Sequence, residues 1–222
     1  MKFAFIFIFC LSHYLFADPI PKVDSTTGYP LIFSDSFENG RDNWTVTDET
    51  SWKHHKQDGN HVFSIIKRKS EYQPKFRSPG HIALIKNVKV ADFVLMYKVK
   101  GPFPKSAAHR DSCAFFNYQS PSQFYYVHTG KKPDPNSGQV MIVNEAPRTP
   151  ITKNKNNTPW QEDTWHQVKV VRNSKSGSIE IYFDDMKTPY MKTNDKTFGL
   201  GKIGIGSFDD FNDFDDVRLY GQ

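Results

Sequence analysis

The stretch CAFFNYQSPSQFYYVH, residues 113–128, writes two short strands across a Pro121-Ser122 turn. Strand side chains alternate between faces with a period of two. On that period Asn117 and Gln119 share one face of the first strand, and Tyr126 and His128 share one face of the second. A third strand follows and carries Asn144, with Arg148 four residues further on. A face that gathers amide, phenol, imidazole and guanidinium groups predicts a ligand-binding surface rather than an ordinary core. Carbohydrate is the ligand best suited to that mixture.

The flanking sequence repeats the strand signal. Leu31 to Phe37, His61 to Ile66, Ile82 to Ile85 and Val88 to Lys100 read as extended segments, with Trp44 and Trp52 among polar turn residues. Tyr72 to Ser78 leads into a Pro79-Gly80 turn. His166 to Arg172 alternates, Asn173 to Gly177 turns, and Ser178 to Phe183 returns before the acidic pair Asp184-Asp185. Gly201 to Ser207 and Val217 to Tyr220 supply the last strands. No window shows a convincing helical period, and turn signals recur about every 8–12 residues, which predicts an all-β sandwich or jelly roll.

Lys2, an apolar run to Phe16 and Ala17 form the pattern of a cleaved secretory leader. The expected division is therefore a leader at 1–17, a loose polar linker at 18–30 and one β domain at 31–222, secreted or periplasmic. The apolar run is short for a membrane span, so no membrane association is expected once the leader is gone. The formal net charge of +5 is spread along the chain, densest at Lys53–Lys56, Lys67–Lys69 and Lys153–Lys155. Without a basic run regularly interleaved with aromatics, nucleic acid is not an expected partner. Beyond the leader only Cys113 remains, so no disulfide can brace the fold. An aromatic share of 15% points to a large β core instead. A monomer is expected.

The order of elements resembles the concanavalin-like jelly rolls of the lectin, glucanase and laminin-G group. The resemblance rests on Trp165–Arg172, Ser178–Asp185, Gly204–Phe208 and Phe214–Tyr220. His109-Arg110-Asp111, Phe124–His128 and Asn144–Arg148 are more narrowly similar to secreted bacterial proteins labelled 3-keto-disaccharide hydrolase or family-16-like. The resemblance implies an all-β fold of two antiparallel sheets and a carbohydrate ligand on a concave face. It also implies Ca²⁺ held between the chain ends, for which Glu38 and Asp216 are the expected ligands, since hard oxygen donors suit that ion.

Laminarinase-type hydrolases of this fold use Glu-x-Asp-x-Glu. The nearest spacing here, Glu180, Tyr182 and Asp184, lacks the middle and last residue types, which argues against a two-carboxylate glycosidase. Three readings of the polar face stay open. A β-eliminating lyase on an acidic polysaccharide would use His128 as base, Tyr126 as acid and Arg148, Arg110 or Arg77 on the uronate carboxylate, with Asn144 or Gln119 assisting. A hydrolase of keto-glycosides would also centre on His128, with His109 or Asp111. A lectin-like module would use Asn117, Gln119, Asn144, Arg148, Tyr126 and His128 for binding alone.

Overall fold

A computed structural model describes residues 19–222 apart from residue 103. The expected leader lies outside the described residues. In chain order the strands are β1 (Leu31–Asp35), β2 (Trp44–Val46), β3 (Trp52–Gln57), β4 (Asn60–Ile65) and β5 (His81–Ile85). Next come β6 (Phe93–Lys100), β7 (Cys113–Ser120), β8 (Gln123–His128), β9 (Gln139–Asn144) and β10 (Thr149–Pro150). The last are β11 (His166–Asn173), β12 (Ser178–Phe183), β13 (Met191–Asn194), β14 (Lys202–Ser207) and β15 (Asn212–Gly221).

They form two antiparallel sheets. One runs β13-β12-β11-β6-β15-β4-β3 with β1 on β15, and the other runs β10-β9-β8-β7-β14-β5-β2. The expected β11–β12 hairpin is present, with Asn173 opposite Ser178. The long strand expected over Val88–Lys100 is β6 alone, preceded by a single bridge between Val90 and Gly201. The expected linker is more ordered than a loose tether. Val23 bridges Pro30, and the Asp24 carboxylate caps the turn by accepting from the Thr26 and Thr27 amides.

Between the sheets lies the main core, which includes Phe63, Leu95, Phe116, Tyr125, Val127, Ile205, Phe214 and Leu219. Trp44 and Trp52 belong to it as well, although their polar neighbours had suggested turns. Burying this aromatic surface drives the sandwich together at roughly 25 cal/mol per Å².

A polar node crosses the core. Arg172 on β11 is fully buried and donates from Nε to Asn117 Oδ1 on β7 in the facing sheet (3.2 Å). Its terminal nitrogens donate to the carbonyls of Gly177 (2.7 Å), Asp195 (2.9 Å) and Phe198 (3.0 Å). Asn117 Nδ2 in turn donates to the carbonyls of Ala91 (3.2 Å) and Gly199. To reach this node Asn117 adopts φ +45°, and the β7–β8 register shifts between Phe116 and Ser120. That is a β-bulge, and it moves the side-chain phase by one residue. Gly201 makes room for it, because a Cβ there would stand 2.3 Å from the Asn117 backbone.

The expectation that Asn117 and Gln119 share one ligand-facing side is therefore overturned. Asn117 turns inward to Arg172, Tyr118 takes the outer face, and Gln119 is exposed at the rim with Nε2 3.5 Å from the Leu200 carbonyl. Replacing Asn117 by Leu would leave Arg172 Nε and two backbone carbonyls unpaired in the core. A loss of about 2–4 kcal/mol is expected by urea denaturation. A variant as stable as the parent would contradict the structural role of the node.

Candidate functional site: the outer face of the seven-stranded sheet and its strap

The outer face of the seven-stranded sheet is a second apolar layer of Ile82, Cys113, Phe115, Tyr118, Phe124, Tyr126, Met141 and Val143. All of them are buried. The cover is the connection from β4 to β5. Its near end is tied to Asp48, whose Oδ2 accepts from the Glu71 amide (2.8 Å) and Ser70 Oγ (3.4 Å). Burial alone would raise the Asp48 pKa, but donors from Ser51, Glu71 and Thr50 hold it well below the usual carboxylate range. Its far end reaches the opposite edge of the sheet, where the Arg77 carbonyl accepts from the Arg148 amide just before β10 (3.1 Å). The segment therefore crosses the sheet as a strap before returning through Gly80 to β5.

Tyr126 and His128 do share the outer face, with ring centroids 6.4 Å apart, but beneath this cover. Tyr126 is 0% exposed and its hydroxyl has no partner among the described residues; burial pushes its pKa well up. His128 is 5% exposed. Its Nδ1 lies 3.0 Å from the Asn136 carbonyl, and its Nε2 lies 2.9 Å from Asp111 Oδ1 in a bent ion-pair contact. Both neighbours are acceptors, so both ring nitrogens are best satisfied when protonated. Burial would lower the His128 pKa, yet the adjacent Asp111 carboxylate outweighs it and raises the value. Burial would raise Asp111, but His128, the Asp209 amide and the Ser207 hydroxyl bring it down to about 2. Burial likewise pushes the Cys113 thiol well up.

With both ring nitrogens turned toward protein acceptors and the Tyr126 hydroxyl sealed, neither group is presented to a substrate beneath this cover. The expected catalytic pair thus lies beneath the cover, where Asp111 and His128 form a buried pair and the Asp111 carboxylate accepts from the Phe208 and Asp209 amides of the β14–β15 turn.

Above this pair lies Phe208. The His128 ring stacks at 6.2 Å from its centroid, and the guanidiniums of Arg148 and Arg77 lie 4.2 Å and 5.3 Å from it. Arg148 Nη2 reaches Asn136 Oδ1 (3.3 Å), while its Nε and Nη1 find no hydrogen-bond partner among the described residues. Arg77 is exposed. The structure thus gathers Asp111, Tyr126, His128, Arg148 and Arg77 around Phe208.

The other expected residues do not join them. Arg110 is buried at φ +55°, donating to the Ala107 carbonyl (3.0 Å) with Glu162 3.9 Å away, so it holds its own loop. His109 is exposed, 3.9 Å from Asp209. Asn144 is exposed at the end of β9, one residue out of phase with the outward Met141 and Val143.

Sequence reasoning missed the groove beside the strap. A cavity of about 680 Å³ is lined by Arg68, Lys69, Tyr72, Arg77, Phe208 and Asp209, among others. Three cations face one carboxylate there, with two aromatic rings. The basic run Lys67–Lys69 followed by Tyr72 was the available signal.

The expected calcium ligands do meet, since β1 pairs with β15 and Glu38 and Asp216 line one cavity of about 410 Å³. Their carboxylates are already engaged. Glu38 accepts from the His61 amide (3.0 Å) and its ring Nδ1 (2.8 Å). Asp216 pairs with Lys98 (2.7 Å) and Arg218 (3.5 Å). Asp35, also in this cavity, accepts from the Phe37 amide and the Trp44 indole. Among the described residues no group of three potential ligands converges, so these residues do not fit a calcium centre. The carboxylates nearest the laminarinase spacing lie in the other sheet, Glu180 with Tyr182 (2.7 Å) and Asp184 with His166 (2.7 Å).

Solved structures place this architecture. The chain superposes on carbohydrate-binding module CBM66 from Bacillus subtilis with a TM-score of 0.57 at 14% identity, covering 81% of this chain and 96% of that one. Winged bean acidic lectin, complexed with methyl-alpha-D-galactose, gives 0.54 at 12% identity over 84% and 96%. The β-glucanase of Bacillus licheniformis gives 0.53 at 11% identity over 86% and 98%. No family model and no curated protein matches the chain in sequence. The fold is a concanavalin-like jelly roll of the kind shared by lectins, glucanases and carbohydrate-binding modules.

The buried pair sets a pH window. The raised pKa of His128 means its stabilisation is complete below about 6.5 and is lost as pH climbs through the folded value. The depressed pKa of Asp111 means its share is complete above about 4 and is lost as pH falls toward 2. Thermal melts should peak between these limits. His128→Gln should lower stability by about 3–5 kcal/mol near pH 5.5, by stranding a buried carboxylate, and should flatten the alkaline limb. An unchanged pH profile in that variant would show that the pair is not ionised.

Proposed function

We propose that this protein is a secreted, lectin-like carbohydrate-binding protein that takes an acidic sugar chain in the strap groove and does not cleave it. The observation that carries this reading is the lining of that groove. Arg68, Lys69 and Arg77 line it with one carboxylate, Asp209, beside the rings of Tyr72 and Phe208. Guanidinium and ammonium groups pair with uronate or sulfate oxygens, and aromatic rings pack the apolar face of a pyranose. Arg68 is partly committed to the Lys105 carbonyl (2.6 Å) and to Asp210 (3.7 Å), so Lys69 and Arg77 are the freer contacts. The engagement of both His128 nitrogens speaks against elimination or keto-glycoside chemistry at this face. The likeness to a carbohydrate-binding module and a lectin supports a sugar ligand, and the leader-like N-terminus supports export.

Affinity electrophoresis or calorimetry on uronate-bearing and neutral polysaccharides tests this directly. Retention is expected on the acidic polymer and not on the neutral one, weakening steeply as salt rises from about 50 to 500 mM because exposed charges are screened. Arg77→Ala should weaken binding about fivefold to thirtyfold, the loss of one charge-assisted contact of about 1–2 kcal/mol, with no change in melting temperature. New reducing ends, or ultraviolet absorbance from an unsaturated uronate, would overturn the non-catalytic reading.

A further inference from the structure

The eight-stranded sheet carries a second polar cavity on its own outer face, beside the root of the strap, where Ile66 lines it and Arg68 reaches the Lys105 carbonyl. Lys53 on β3, Ser64 on β4, Asp213 on β15 and Lys100 on β6 stand in register across four strands. Ser64 Oγ donates to Asp213 Oδ1 (2.6 Å). His55 Nε2 lies 2.9 Å from the same hydroxyl. The single Ser64 hydrogen is given to the carboxylate, so His55 Nε2 is the donor in that contact.

Asp213 is 4% exposed, and among the described residues nothing donates to its Oδ2. Lys100, its register neighbour, turns away to Asp163 (3.5 Å) and the Trp165 ring (5.5 Å). A buried carboxylate oxygen left without a donor is costly and calls for an external hydrogen. Asp213 lines a cavity of about 450 Å³ together with Lys53, His55, Gln57, Lys105 and Phe211.

The surroundings select the donor. A cation would meet Lys53 and Lys105 as well as Asp213, and no group of three potential metal ligands converges among the described residues. A hydroxyl group satisfies Oδ2 without adding positive charge, and a second, anionic group on the same molecule would answer the two ammoniums. Phe211, Pro102 and Ile66 supply an apolar wall.

We propose that this cavity is a separate subsite for one acidic monosaccharide unit, with a ring hydroxyl donating to Asp213 Oδ2 and the sugar carboxylate meeting Lys53 and Lys105. The site goes beyond the strap groove, shares no lining residue with it, and is tested independently of it.

The probe is D-glucuronate, titrated to about 10 mM into isotopically labelled protein, with D-glucose and acetate in parallel, since single-sugar contacts sit near the millimolar range. Glucuronate should shift the amide signals of Ser64 and Asp213 and the His55 ring, glucose should do so more weakly, and acetate should not. Asp213→Asn keeps an acceptor for Ser64 and should weaken glucuronate at least about tenfold. Lys53→Met, at an exposed position, should abolish the preference for glucuronate over glucose. Arg77→Ala should leave these shifts unchanged, so failure of the groove and failure of this site are distinguishable.

No shift in the parent protein would overturn the proposal and leave Oδ2 to water alone. Equal shifts with acetate, or unchanged affinity in Asp213→Asn, would overturn it too. Should Asp213→Asn fail to fold, Lys53→Met decides, and an unchanged glucuronate-to-glucose ratio sinks the site.

Discussion

The contact between Arg172 and Asn117 is the constraint from which the rest of the structure follows. A guanidinium buried between two sheets demands an acceptor for nearly every N–H, and this one finds them in Asn117 and the backbone carbonyls of the β11–β12 turn and the 195–198 segment. Meeting that demand pulls Asn117 inward and places a bulge in β7. The bulge puts Tyr118 rather than Asn117 on the outer face, beside Phe115, Phe124 and Tyr126. An aromatic layer of that kind cannot face water at low free energy, so it is roofed by the strap between β4 and β5.

The strap in turn decides the chemistry. The lectin and glucanase relatives in fold show what frame this is, but here the outer face of the seven-stranded sheet is packed rather than open. The groups that had suggested catalysis lie under the roof as a neutralised pair, Asp111 with His128, and serve the loop that carries Phe208. Solvent-accessible polarity is displaced upward to the strap and to Phe208. There the cations of Lys69 and Arg77 meet solvent.

The fold was legible because its signals are local. The β11–β12 hairpin, the glycine-rich β14 and the alternation of β6 each announce themselves within a few residues, and the order of these pieces is that of a jelly roll. The site was not legible, for a different physical reason. Period-two reasoning is accurate only while no residue is inserted in the ladder, and the Asn117 bulge is dictated by Arg172, 55 residues away in sequence. Strand alternation also cannot say whether a sheet face is open or covered. The cover here comes from a segment with no strand of its own, held by Asp48 and Arg148 at its two ends. Asp213 illustrates the same limit. It sits three residues from Asp216, yet it faces Ser64 and His55 rather than the cavity that holds Glu38.

Cys113 reports most directly on whether the outer face is sealed, because its thiol lies in that layer beside Asp111 and is buried. With Cys10 replaced by serine it is the only thiol in the chain, and its rate of alkylation by a maleimide can be compared in native buffer and in urea. A closed strap requires native labelling to be slower than in urea by about three orders of magnitude or more, governed by opening of the fold. Labelling in native buffer as fast as in urea would mean that the face is open to solvent, and a central sugar cleft would have to replace the covered sheet described above.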